Sequence, residues 1–212
     1  ILNFASGAFL DKLSVVVEAN ATLRIITDLS KTVRGGPLVF ADTVSVNGTL
    51  ESNFLNLVAQ RIYVGKSGRI SADGLGYPPS PDQRVVGQGS VGAASWAGAG
   101  HGGRGGGYED SGPDIGGGHA YGHTTHPTTA GSGGGPQSGS HGGGVLRIVA
   151  RDVLSIAAGG RISADASPVI KGRESGGAAG GSLWINAGTL AGGGTIGANG
   201  AASATRGGGG GG

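Results

Sequence analysis

All five histidines of the chain lie between His101 and His141, and three of them form the spacing His119-x3-His123-x2-His126. On a helix that spacing would bring the imidazoles to one face and seat a borderline metal such as zinc. Gly116 to Gly118, Gly122 and Pro127 surround the triplet, and such residues do not sustain a helix. A loop whose histidines meet solvent or backbone is therefore the reading preferred over a metal site. The acids offer a second chemistry. Asp73 and Asp165 follow identical Arg-Ile-Ser-Ala stretches, and converging carboxylates beside a base would suit acid-base catalysis. Matching positions are more simply explained by turn chemistry and by pairing between neighbouring repeats. Glu109, Asp110 and Asp114 are a weak calcium candidate without the usual Gly-Gly-x-Gly-x-Asp pattern. The chain has no cysteine and no Gly-x-Ser-x-Gly elbow, so no nucleophile motif stands out. No cofactor is expected.

Two further sets of residues have the chemistry of an exposed surface. Asn20-Ala21-Thr22 and Asn47-Gly48-Thr49 are N-glycosylation sequons, although asparagine at a turn explains them equally well. Trp184, Trp96 and Tyr63 are candidates for stacking on sugars. No window holds the roughly 18 apolar residues of a membrane helix, and a formal charge of +2 from scattered Lys and Arg is too weak to indicate nucleic acid. Without an initiating Met and with a closing run from Gly207 to Gly212, the chain reads as a mature or excised piece of something longer.

The elements that must carry these residues are short strands. Arg61 to Asp73 and Val153 to Asp165 each read as a strand, a Gly-containing turn and a second strand, and both end in Arg-Ile-Ser-Ala-Asp. A third copy runs Gly194-Thr195-Ile196-Gly197-Ala198-Asn199-Gly200, and looser ones end at Leu23 and Leu50. Alternation along a strand sends Ile70 and Ala72, Ile162 and Ala164, and Ile196 and Ala198 to one face, and Arg69, Ser71 and Asp73 to the other. Leu50 and Ile70 are 20 residues apart, whereas Ile70 and Ile162 are 92 apart and Ile162 and Ile196 are 34 apart. Insertions at one place in a repeat are what stacked architectures tolerate. The expectation is one right-handed parallel β-helix of about five coils over residues 1–212. It carries a glycine-rich insertion at 74–144 and a shorter one at 166–181. A β-sandwich, with antiparallel hairpins, is the alternative. Because 50 of the 212 residues are glycine and only 5% are aromatic, the core must be narrow. The long insertion is expected to be an ordered but irregular loop held by backbone hydrogen bonds, with Trp96, Tyr108, Ile115 and Tyr121 as anchors.

The order of motifs Gly-Arg-Ile-Ser-Ala-Asp-Gly-Leu-Gly-Tyr-Pro, Gly-His-Gly-Gly-Arg-Gly-Gly, Ala-Tyr-Gly, Gly-Gly-Val-Leu-Arg-Ile, Gly-Gly-Ser-Leu-Trp-Ile and a closing poly-Gly resembles a known class of repeat. This is the glycine-rich, pectin-lyase-like β-helix region of very large modular secreted proteins of protists and some invertebrates. The resemblance covers about Ile62 to Gly212. It implies an extracellular location and a structural or surface role, including filaments, and transfers no catalytic residue. The expected function is a non-enzymatic component of an extracellular filament, coat or matrix, whose partners are copies of itself or other structural proteins. A carbohydrate- or surface-binding module, with glycans as partners, is the alternative, and a polysaccharide lyase or hydrolase comes after it.

Overall fold

Leu55, Leu57, Ala59, Ile62 and Val64 are buried along one strand while the residues between them are not, and this alternation sets the architecture. The computed structural model describes residues 14–26, 38–79, 97–107, 117–135, 140–170 and 176–203. Ten strands are defined: β1 (Val15–Val17), β2 (Thr22–Ile25), β3 (Leu38–Val46), β4 (Thr49–Ser52), β5 (Phe54–Val64), β6 (Arg69–Ser71), β7 (Val145–Ile156), β8 (Arg161–Ser163), β9 (Ser182–Gly192) and β10 (Thr195–Gly197). The odd strands form one five-stranded sheet in the order β1-β3-β5-β7-β9, and the even strands form a second in the order β10-β8-β6-β4-β2. Every ladder between even strands is parallel, as are β1–β3 and β3–β5.

This corrects the expected fold. The chain is all-β with two parallel sheets, and not a closed right-handed β-helix of about five coils. The strands divide between the two sheets at tight turns, and the described residues that follow β6 and β8, rich in glycine, lack the alternating apolar residues that hold a ladder to a core. The antiparallel hairpins of a β-sandwich are not what pairs these strands either.

The register is strict. Leu23, Leu50, Ile70, Ile162 and Ile196 are successive partners across the even sheet, and Val17, Val46 and Val64 are partners across the odd one. Leu50, Ile70, Ile162, Val46 and Val64 are buried, each worth about 1.5–3 kcal/mol of transfer free energy. Between sheets the chain makes equivalent tight turns, closed by Ala21 N–H to Glu18 C=O, Gly68 N–H to Gly65 C=O and Gly160 N–H to Ala157 C=O at 2.8–3.0 Å. Asn20 (φ 64°) and Gly159 (φ 94°) hold the third position of their turns, where a left-handed backbone favours Asn or Gly. The turns also stack. Thr49, Arg69, Arg161 and Thr195 each donate an amide to the carbonyl of Ala21, Gly48, Gly68 and Gly160 respectively, at 2.8–3.0 Å.

The chain divides into two compact units. The first comprises Ile1–Ser71, Leu146–Ser163 and Leu183–Gly197, and the second comprises Ala72–Val145, Ala164–Ser182 and Ala198–Gly212. The second unit has a different logic. Along residues 141–144, successive amides turn to different neighbours: His141 to Ser167 Oγ, Gly142 to Tyr77 C=O, Gly143 to Ala179 C=O and Gly144 to Ala72 C=O. Their carbonyls accept from Ser167, Gly76, Gly131 and Ser182. A pleated strand has neighbours only along its two edges. Partners in more directions than that are what an extended chain of three-fold, polyproline II-like character presents, since it makes no internal hydrogen bonds. Glycine is required by proximity here: a Cβ on Gly105, Gly117, Gly143 or Gly176 would meet a backbone carbonyl of the adjoining segment. The expected backbone-held insertion is thus a packed bundle of glycine segments around Ala97, Ala99 and Ala179. Of its four expected anchors, Trp96, Tyr108 and Ile115 lie outside the described residues.

Ile162→Ala is expected to cost about 2–5 kcal/mol, as the deletion of a fully buried core side chain does. Urea denaturation monitored by circular dichroism would show it as a lowered midpoint, and an unchanged midpoint would mean the Ile row does not hold the sheets together.

Candidate functional site

The histidine triplet does not assemble a metal site. His123 Nδ1 receives the amide hydrogens of Thr125 and His126, both at 3.3 Å, and Thr125 Oγ1 lies 3.1 Å from the Nδ1 atoms of both His123 and His126. The two rings meet edge-on with centroids 5.8 Å apart. His119, His123 and His126 are all exposed, and among the described residues no three His, Cys, Asp or Glu side chains are grouped to hold an ion. The physical reason is local. Without a helix the spacing gives no common face, and the His123 lone pair is already taken up by its own turn. Glu109, Asp110 and Asp114 lie outside the described residues.

The repeat-equivalent acids make a ladder in the second unit. Asp73 Oδ1 accepts the amide of Asp165 at 2.7 Å, and Asp165 Oδ1 accepts the amide of Asn199 at 2.8 Å together with its Nδ2 at 3.1 Å. Each copy's side chain caps the backbone of the next. This is the pairing between repeats that the sequence suggests, and it commits the carboxylates to amide donors.

Of the sequons, Asn20 is exposed while Asn47 is partly buried. Asn47 Oδ1 occupies the space that a side chain on Gly65 would need, and its carbonyl accepts Ser67 Oγ at 2.7 Å. The aromatic candidates do not form one platform. Trp184 on β9 is half-buried beneath Arg147, whose guanidinium carbon is 4.5 Å from the ring centroid, and Arg147 Nη1 donates to Asn56 Oδ1 at 2.7 Å. One indole face is therefore taken by a cation–π contact. Tyr63 is exposed on β5, seven residues beyond Asn56 and so about 23 Å farther along the strand. Trp96 lies outside the described residues.

Sequence reasoning missed the one histidine that the fold singles out. His101 is only 4% exposed. Its Nε2 lies 3.0 Å from Thr129 Oγ1, its ring centroid is 4.9 Å from that of Tyr121, and its backbone carbonyl accepts the Tyr121 amide at 2.6 Å. The Tyr121 hydroxyl donates to Ala130 C=O at 2.6 Å and sits 2.9 Å from Ser132 Oγ, while Ser182 Oγ donates to Thr129 C=O at 2.7 Å. His101 Nδ1 is buried without a partner. Burial holds the imidazole below its ordinary value of 6.5, opposed by nearby backbone at Gly180, Thr129 and Gly181. Burial likewise pushes the Tyr121 phenol up to about 12, against the opposing hydrogen bond from Ser132. Both rings are neutral at pH 7. The cluster is a buried polar clasp that fixes the segments around 101, 121, 129–132 and 182 within their unit. Nothing local distinguishes His101 from the other four histidines, because Thr129 is 28 residues away in sequence.

Compared with protein-family models, with curated proteins and with solved structures, the chain matches none.

Two outcomes follow. The unfolded chain takes up a proton near pH 6.5 while folded His101 resists it, so stability is complete above that pH and declines as pH falls from about 6.5 toward the lowered folded value. Thermal melting between pH 7.5 and 5 should show this decline, and His101→Asn should flatten it. Secretory expression tests the sequons: Asn20→Gln should remove a glycan-sized mass, whereas Asn47→Gln should leave the mass of the glycosylated protein unchanged because Asn47 is held in its turn.

Proposed function

We propose that the chain is a non-enzymatic structural element of an extracellular filament, coat or matrix that builds by adding one parallel stack end-on to the next. The observation that carries this reading is the exposure of a core row at its end. Ile70 and Ile162 are fully buried between neighbours, yet Ile196, their partner in register, is 43% exposed on the outer strand β10, and Leu190 on the outer strand β9 is 59% exposed. At the opposite end of the odd sheet the core residue of β1, Val17, is buried, so the exposed apolar end is the one formed by β9 and β10. An outer strand offers its unpaired amides and carbonyls as a template for another strand. Head-to-tail contacts of this kind grow fibres wherever the rotation between successive subunits does not close a ring.

The carboxylates of Asp73 and Asp165, which acid-base catalysis would require, are engaged with backbone amides, and this favours a scaffold over a polysaccharide lyase or hydrolase. Extracellular placement is part of the proposal and rests on the exposed sequon at Asn20 and on the resemblance to glycine-rich repeats of secreted proteins.

Electron microscopy and sedimentation of the native material test the reading. Fibres or sheets with a periodic subunit are expected, and Ile196→Lys, which sets a charge at the end of the apolar row, should shorten them or leave single subunits. Dispersed monomers of the unaltered protein at every concentration tried would overturn it.

A further inference from the structure

We infer that Ala21 is a built-in brake on assembly, a residue that makes the β1–β2 end of the stack the resistant half of every joint between copies of this chain. The inference rests on the end-on joining proposed above and says what limits it.

Each even strand with the turn before it forms one rung. Two residues before the successive row members Leu23, Leu50, Ile70, Ile162 and Ile196 stand Ala21, Gly48, Gly68, Gly160 and Gly194. The first rung alone carries a side chain there. None of the four glycines has a positive φ, so the local backbone would admit any residue, and only proximity excludes one. A Cβ on Gly48 would meet the carbonyls of Glu18 and Ala21, and one on Gly68 that of Val46. A Cβ on Gly160 would stand 2.7 Å from the carbonyl of Gly65, and one on Gly194 2.8 Å from that of Gly160. In each case the carbonyl belongs to the preceding rung. Ala21 is exposed and leads into β2, the outermost strand at its end of the even sheet. Its methyl group therefore lies where another copy would have to come close.

The same carbonyl decides the joint. Thr49, Arg69, Arg161 and Thr195 each donate to the residue at this position one rung earlier. Repetition of that pattern brings Thr22 of an added copy to the carbonyl of Gly194, and it brings the Ala21 methyl against the same oxygen. The joint has to open to admit the methyl, which lengthens the hydrogen bond that holds one turn on the next. Burial of apolar surface offers little in return at this end, because Val17 and Ile25 of the first rung are already buried, whereas Leu190 and Ile196 at the other end are 59% and 43% exposed. The two ends are unequal: β9 and β10 are ready to receive a rung, and β1 and β2 resist being the rung received.

The experiment follows assembly of the full chain by sedimentation and electron microscopy, in protein made without glycosylation so that Asn20 carries no sugar. Ala21→Gly should lengthen the fibres and lower the concentration at which they form about tenfold, the gain of one unhindered backbone hydrogen bond per joint. Ala21→Val should raise that concentration. Adding Ile196→Lys to the Ala21→Gly chain should cancel the gain, placing its origin at the joint and not in a loosened turn. Equal assembly by the unaltered chain and both Ala21 variants, with Ile196→Lys disrupting all three, would overturn the brake and leave end-on joining standing. A gain that Ile196→Lys left intact would also overturn the brake, and no assembly by any of these chains would remove both.

Discussion

The stacked turns are the constraint on which the rest depends. Thr49, Arg69, Arg161 and Thr195 donate in succession to the carbonyls of the turns before them, and each turn can sit on the next only if no side chain intervenes. At Gly48 an added Cβ would meet the carbonyls of Glu18 and Ala21, and at Gly68 that of Val46. Once the turns are in this column, the residue that follows each one is fixed in register. Leu23, Leu50, Ile70, Ile162 and Ile196 then fall into a single row. A slip of one residue would send that row to solvent and bring the arginines inside. The apolar row and the outward arginines are therefore consequences of the same backbone hydrogen bonds.

The two units solve the same problem by different means. In the sheets, side chains fill the space between backbones and alternation separates inside from outside. In the glycine-rich unit, backbones approach each other directly and hydrogen bonds take over the work of side-chain packing. Such an interior has little tolerance for substitution, since almost any side chain would meet a carbonyl. His101, Tyr121, Thr129, Ser132 and Ser182 form the polar clasp of this unit, and their neutrality at pH 7 suits an interior that is itself made of amides and carbonyls. Acid disturbs it at one atom, because His101 Nδ1 has no partner to share a proton with.

Much of the strand content is legible in the sequence. The repeated Arg-Ile-Ser-Ala-Asp, the alternation of Leu55, Leu57 and Ala59, and Gly or Asn at the turns are local signals, governed by strand periodicity and by the cost of a left-handed backbone. They give the strands, the inward residues and the capping role of Asp73 and Asp165. The division between the two sheets falls at those same turns. What is not local is the packing of the glycine segments, whose low side-chain content makes a packed bundle and a loose loop read alike.

The candidate residues divide along the same line. Sequence by itself determined that Asn20 sits in an exposed turn, that Ile70 and Ile162 belong to a core, and that Arg69 and Arg161 face the other way, because each of these follows from neighbours one to three residues distant. Only the tertiary structure decided that His123 spends its Nδ1 on its own turn, that Trp184 lies under Arg147, and that His101 alone of the described histidines is buried. The Trp184 and His101 outcomes depend on groups brought together across tens of residues, and the described residues between His101 and Thr129 form no strand or helix whose periodicity would announce such a meeting.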